Sequence, residues 1–197
     1  MKKYSILLVF LFVGYFSFAQ KQGIGLRLGD PVGITYKKYL PRNHAFELGI
    51  GGASPQWHRT YYQNSFDEYS QYDNYRYIGH TVESTVYFQA RYLFHYNIPV
   101  EGMEGKLDWY WGAGGLLKIA KIKYKYQDLE GNPAAQTDVR TDIDIGPEGI
   151  LGMEYLFEDI PLTVFGEASL LVEIADRPGS VRAFGGLGLR YMFNVRR

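Results

Sequence analysis

From Val82 to Ile98 the chain reads VESTVYFQARYLFHYNI. Every second residue belongs to one of two sets. One set is Val82, Ser84, Val86, Phe88, Ala90, Tyr92, Phe94 and Tyr96; the other is Glu83, Thr85, Tyr87, Gln89, Arg91, Leu93 and His95. A period of two is the signature of a strand, because successive side chains point to opposite faces. At this length the strand far exceeds the usual five or six residues of a soluble sheet. A chain built from such strands must hide one face, and the identity of that face decides what kind of protein it is.

The alternation recurs. Eight strand-like segments lie at roughly 22–29, 33–40, 45–53, 81–97, 107–124, 140–157, 162–174 and 181–193. Turn chemistry separates them in GDPVG, PRNH, VEGMEGK, FEDIP and ADRPGS. Two connections are longer, Ser54 to His80 and Gln127 to Asp138. Neither shows helical periodicity. The expectation for the first is an open loop, or a hairpin that extends two strands into solvent. With the mature N-terminus on one side of the sheet, the short connections share that side and both long ones lie opposite. Short turns at one end, long loops at the other and an even strand count match an outer-membrane β-barrel.

The N-terminus, MKKYSILLVFLFVGYFSFAQ, has Lys2 and Lys3, then an apolar run, then Ser17 and Ala19. That is the pattern of a secretory signal peptide, with cleavage expected after Ala19. The expected domains are therefore a signal at 1–19 and one barrel domain at 20–197. With no Cys in the chain, a lipidated cysteine and disulfides are both excluded. Without Lys2 and Lys3 the chain holds 19 basic against 21 acidic residues, which argues against a nucleic-acid binder. After the signal, nothing approaches the run of eighteen apolar residues that a transmembrane helix requires.

The polarity of the two faces selects the inside. Leu107, Trp109, Trp111, Ala113, Gly115, Leu117 and Ile119 form one charge-free set. Leu162, Val164, Gly166, Ala168, Leu170, Val172 and Ile174 form another. About ten such residues cover the hydrocarbon core in a tilted strand. The opposite sets mix isolated charges with Gly and rings, as a packed lumen does. These patterns place the apolar sets on lipid and the mixed sets inside. Closure then follows, since an open sheet edge in lipid leaves backbone groups unpaired at several kcal/mol each. Phe94, Tyr96, Trp109, Trp111, Tyr155, Phe157, Tyr191 and Phe193 are expected to form an aromatic belt near the short-turn end.

GLRLGDPVGITYKKYL, LDWYWGAGG, GPEGILGMEYLFEDIPL and GGLGLRYMF resemble the small outer-membrane β-barrel proteins of Bacteroidetes-type bacteria, similar to the OmpX and OmpA-barrel class. The resemblance covers most of the mature chain. It implies an eight-stranded antiparallel up-and-down transmembrane barrel in a Gram-negative outer membrane, and says almost nothing of activity. GGLGLRYMF also resembles the C-terminal signal read by the barrel-assembly machinery, with Gly188, Tyr191 and Phe193 in matching positions. Gly186 and the trailing NVRR depart from it.

Several residues are candidates for function. The expected lumen charge network comprises Arg27, Glu47, Arg91, Asp108, Glu154, Glu167, Glu173, Arg182 and Arg190, with Lys37 and Lys118 also inward. Glu173 is expected opposite Arg182, Glu167 diagonal to Arg190, and Asp108 or Glu47 beside Arg91. Such pairs plug a narrow barrel, and the alternative reading is a pore or proton path. Lys121, Lys123 and Lys125 continue the outward face of the fifth strand, where they would meet lipopolysaccharide phosphates or merely solvate the strand. In the 54–80 connection, Tyr61, Tyr62, Tyr69, Tyr72, Tyr75 and Tyr77 offer a surface for a partner or glycan.

Other chemistry is weaker. His58, Ser65 and Asp67, or His80, Ser84 and Glu83, supply the residue types of a rim-located lipid-modifying enzyme. A nucleophile, however, needs its base within about 2.6–3.2 Å. Asp128, Glu130 and Asn132 lack the bidentate Glu of a calcium loop. No cofactor or metal is expected. The function expected is structural or interactive, with outer-membrane lipid, lipopolysaccharide and the assembly machinery as partners. The alternative classes are a soluble periplasmic lipocalin-like barrel binding an apolar ligand, and the rim enzyme.

Overall fold

The strand order closes on itself. The computed structural model describes residues 21–52, 59–68, 70–129, 134–175 and 178–193. Its strands are β1 (Gln22–Asp30), β2 (Val32–Leu40), β3 (His44–Gly52), β4 (Tyr75–Asn97), β5 (Lys106–Asp128), β6 (Gln136–Leu156), β7 (Leu162–Val172) and β8 (Val181–Phe193). Each pairs antiparallel with its neighbour in sequence. β1 also pairs β8, from Gln22 opposite Phe193 to Asp30 opposite Gly185, so the barrel is closed. The expected signal segment and the Asn194–Arg197 tail lie outside the described residues.

Strand number, order and approximate positions agree with the alternation. The expectation fails at the ends of three strands. β4 begins at Tyr75, β5 runs to Asp128 and β6 starts at Gln136. The two long connections are correspondingly shorter than expected. Aromatic cross-strand contact accounts for the extension: Tyr77 lies opposite Tyr126, and the rings of Tyr75 and Tyr126 meet edge-on at 5.0 Å. β4, β5 and β6 thus form a three-stranded wing. Their pairing continues beyond the last β3–β4 pair, Gly51 with Tyr87, and the last β6–β7 pair, Glu148 with Leu171.

A second expectation is overturned within the 54–80 connection. Part of it is a helix, α1 (Arg59–Glu68), followed by a 3₁₀ turn at Ser70–Tyr72. Tyr61, Tyr62, Ser65 and Phe66 are buried at helical spacing, and Thr60, Gln63, Asn64, Asp67 and Glu68 are exposed. The apolar stripe is only one and a half turns long and consists mostly of tyrosine. Its helicity comes from packing on the wing and not from propensity. Phe66 stacks on Tyr72 at 4.2 Å and meets Tyr124 at 5.5 Å, with Ala120 and Ile122 beneath.

The faces divide as the sequence indicates. Outside, Leu26, Leu28, Ile34, Ile50, Leu151, Leu170 and Leu187 are all exposed, Leu187 to 69%. Inside, Arg27, Lys37, Arg91 and Arg190 have at most 1% of their surface exposed. At the short-turn end Phe94 stacks on Trp111 at 4.7 Å and Tyr96 on Trp109 at 4.8 Å, which gives the outer face its ring belt. Two lumen glycines make room for large rings. Gly152 lies opposite Tyr110 and Gly188 opposite Phe165, and a Cβ at either would collide with that ring.

One face assignment needs correction. β4 carries two bulges, between Tyr77 and Gly79 and between Val82 and Ser84. Each adds one residue to β4 relative to β5. Val82 therefore points inward and packs on the α1 cluster, although it shares even parity with the outward Val86 and Phe88.

Candidate functional site

Inward alternation on eight strands brings the lumen charges together in the middle of the barrel. Arg91 on β4 is the hub. Its Nη2 meets Glu148 Oε1 at 2.6 Å and its Nε donates to Glu148 Oε2 at 3.1 Å, a forked pair. Its Nη1 reaches Glu167 at 2.6 Å and Glu47 at 3.2 Å. Arg27 joins Glu167 at 3.0 Å and donates to Gln89 at 3.2 Å; Gln89 in turn donates to Glu148. Arg190 bonds Glu47 at 2.7 Å and approaches Glu154 at 3.5 Å, and Lys37 bonds Glu154 at 2.7 Å. Four cations thus meet four carboxylates in one connected set. Rings fill the spaces between them. Tyr110 donates to Glu167 at 2.9 Å, and Arg190 lies 4.2 Å over the Phe165 ring.

The sequence places these side chains inside correctly but not all of their partners. Arg91 does point inward and does meet Glu47, directly across from it. Asp108 is not its partner; it lies at the short-turn mouth with Lys106 at 2.6 Å and Asn97 at 3.2 Å. Glu167 lies opposite Gly186 and pairs with Arg27 and Arg91, whereas Arg190 lies opposite Thr163 and pairs across the lumen. Arg182 faces Leu171, so Glu173 is its diagonal neighbour at 3.7 Å, and its closer partner is Asp144 at 2.7 Å. Glu148 and Asp144 were missed as partners. The even alternation of β6 (Asp142, Asp144, Gly146, Glu148, Ile150) marks both as inward.

Farther from the short turns the lumen is closed from above by α1. Tyr61 reaches down to Asp144 at 2.8 Å and Glu173 at 2.9 Å, and its ring lies 4.3 Å beneath the Arg182 guanidinium. Lys118 links Asp144 at 3.1 Å to the Tyr62 hydroxyl at 2.9 Å. Two successive helix tyrosines therefore anchor the cap to strand-borne charges. Tyr72 anchors the turn that follows. It donates to Asp138 at 2.7 Å, and Arg140 also donates to that carboxylate at 3.0 Å. The Tyr72 hydrogen bond and the Arg140 charge hold the Asp138 carboxyl below the usual carboxylate range.

This burial corrects the tyrosine surface. Tyr61, Tyr62 and Tyr72 are buried in the cap, and Tyr75 and Tyr77 are half-buried against it, because aromatic packing on the wing hides more area than solvent exposure would. They do not form an outward binding patch; Tyr69 lies outside the described residues. Lys121, Lys123 and Lys125 are exposed on the outer face of β5, as expected. Among the described residues neither rim serine, Ser65 or Ser84, is hydrogen-bonded to a histidine. The Ser65 hydroxyl donates to the Tyr61 carbonyl at 3.1 Å, and His80 Nδ1 lies 2.5 Å from the Tyr77 hydroxyl. Ser84 and Glu83 are exposed, and His58, Glu130 and Asn132 lie outside the described residues.

No protein-family model matches the chain, and no curated protein matches it in sequence. Solved structures with similar strand arrangements include the N-terminal β-barrel domain of Pseudomonas aeruginosa OprF. That match has 14% identity and a TM-score of 0.46, over 88% of this chain and 96% of that one. The attachment invasion locus protein Ail of Yersinia pestis matches with 10% identity and a TM-score of 0.44, over 88% and 95%. A major outer membrane protein from Thermus thermophilus matches with 11% identity and a TM-score of 0.43, over 89% and 100%.

Proposed function

We propose that this chain is an outer-membrane β-barrel with a structural or surface-interaction role, a lumen closed to solutes and no catalytic function. The observation that carries the reading is its inverted polarity. A continuous belt of exposed Leu, Ile, Val and Phe surrounds an interior of paired Arg, Lys and Glu. A soluble barrel exposes no apolar patch of this extent, and a lipocalin-like carrier of an apolar ligand needs an apolar interior where this one holds charges. Lipid is the solvent that suits the outer face, and closure satisfies the backbone within it.

In this reading the short turns face the periplasm and α1 faces outward. Export by the 1–19 signal and insertion by the assembly machinery through Gly188, Tyr191 and Phe193 complete the assignment. A Bacteroidetes-type source rests on the sequence motifs alone. The exposed face of α1, with Gln63, Asn64, Asp67 and Glu68, takes the place of the tyrosines as the surface open to a partner or glycan. Lys121, Lys123 and Lys125 stand at the level where headgroup phosphates begin, about 6.7 Å apart along the strand, and are proposed to contact lipopolysaccharide.

Fractionation of expressing cells tests the placement. The protein is expected in outer membranes, released by detergent and not by buffer or salt, with heat-modifiable gel mobility; a buffer-soluble product would refute it. Replacing the three lysines with glutamine is expected to weaken lipopolysaccharide association. Unchanged association would remove that contact.

A further inference from the structure

The short-turn mouth joins Glu154 of the charge network to two side chains outside it. β4, β5 and β6 each bring one metal-competent residue there: His95, Asp108 and Glu154. One ligand atom from each lies within 4.8 Å of the others. All three residues are buried, His95 with only 4% of its surface exposed. They line a cavity of about 330 Å³ that also touches Tyr39, Lys106 and Met192.

His95 is the informative member. Its Nδ1 lies 3.3 Å from Glu154 Oε1, but without hydrogen-bond geometry, and neither ring nitrogen has a hydrogen-bond partner among the described residues. The ring is fixed between Tyr110, 5.0 Å away and near-parallel, and Tyr39 at 5.6 Å. A buried imidazole with both nitrogens unsatisfied costs free energy that the stacking does not return. A cation on a ring lone pair offsets that cost.

The spacing suits such an ion. Donors about 2.0–2.1 Å from a tetrahedral centre lie about 3.3–3.4 Å apart, and His95 Nδ1 and Glu154 Oε1 already stand at 3.3 Å. The carboxylates are oriented from behind, as ligating carboxylates are. Glu154 accepts from Tyr39 at 2.8 Å on Oε1 and from Lys37 at 2.7 Å on Oε2. Asp108 Oδ1 accepts from Asn97 at 3.2 Å. Its Oδ2 holds Lys106, whose side chain is 44% exposed and is free to swing into solvent and yield that oxygen. One imidazole and two carboxylates select a borderline ion over a hard one.

We propose that His95, Asp108 and Glu154 form a binding site for a divalent transition-metal ion of the zinc class. Water completes the coordination from the cavity side. Lys37 and Arg190, which share Glu154, moderate the affinity, and Lys106 competes with the ion for Asp108.

The test uses the tag-free mature chain folded in detergent, titrated with Zn²⁺ against a chromophoric chelator and separately with Co²⁺, Ca²⁺ and Mg²⁺. The expected result is saturable one-to-one Zn²⁺ binding and a visible Co²⁺ band of low coordination number, with Ca²⁺ and Mg²⁺ not competing. His95→Ala is expected to weaken Zn²⁺ binding by more than the roughly 10–100-fold that outer-shell changes cost. Lys106→Gln, which removes the competitor, is expected to tighten it. Heat-modifiable mobility reports folding of each variant, and His95→Gln and Asp108→Asn make the same comparison if His95→Ala does not fold. No saturable Zn²⁺ binding, undiminished binding in the His95 variants, or equal binding of Ca²⁺ would overturn the proposal.

Discussion

The middle of the lumen and its far mouth are closed by different means. In the middle, Arg27, Arg91, Arg190 and Lys37 meet four glutamates, and every member is carried on a strand of the ring. At the far mouth the closure is aromatic, and part of it comes from a ten-residue helix held on the wing by Phe66, Tyr61 and Tyr62. The charges in the middle have nowhere to go, because the backbone that carries them is also the wall. The cap is a separate piece, attached by rings and a few hydroxyl contacts. Loss of a central charge should therefore damage the barrel itself, and loss of a cap ring should release only the cap.

The largest effect is expected at the hub. Arg91→Met leaves Glu47, Glu148 and Glu167 facing one another with three fewer donors. Removing one partner from such a buried set costs about 3–5 kcal/mol. Denaturant unfolding in detergent should show that loss as a lower midpoint for the whole barrel. A midpoint like that of the parent chain would mean the middle is not held by its charges.

Phe66→Ala should come next. Deleting a buried ring costs about 3–5 kcal/mol where the cavity does not collapse. The cap stands at the protein's edge and relaxes more easily, so the lower end applies. Limited proteolysis should show faster cleavage within residues 59–74 while heat-modifiable mobility is kept. Global unfolding at the same denaturant concentration as Arg91→Met would erase the distinction between the two regions.

The smallest effect is expected from acid. Asp138 has a folded pKa below its ordinary value, so its stabilising contribution is complete above that ordinary value and is lost as pH falls through the folded one. Its side chain is 38% exposed, and solvent screening keeps the contribution below about 1 kcal/mol. Proteolytic release of the Tyr72 turn should therefore rise only below about pH 4, and Asp138→Asn should remove that dependence. A dependence that survives in Asp138→Asn would assign it to another group.

The same division explains what the sequence reveals. Parity along a strand states which residues face in, so Arg91, Glu154, Glu167 and Arg190 are identifiable as lumen residues from the sequence alone. Parity does not state which strands meet across the lumen. The pairing of Arg190 with Glu47, and of Arg91 with Glu148, depends on how far each side chain reaches over the barrel axis. The Glu47–Arg91 pair was legible because those strands are neighbours and their register follows from the hydrophobic pattern. α1 was not legible, since its buried residues are mainly tyrosines over too few turns to show a period. The outward turn of the lysine column was readable; the inward turn of Val82 was not, because a bulge leaves no mark in the composition of a strand.

Those bulges have a mechanical consequence. From Tyr75 to Asn97, β4 spends two more residues than β5 uses to cover the same ladder between Asp108 and Asp128. Two rails of unequal length, tied rung by rung, do not lie straight. The surplus at Ile78 and Glu83 is taken up as extra coil in the wing, and a coiled wing presents a hollow where a flat one would present a plane. The cap helix packs on that face of the wing, against Ala120, Ile122 and Tyr124. A change that trimmed both surplus residues would leave every ring of the cap in the sequence and remove the curvature that seats them.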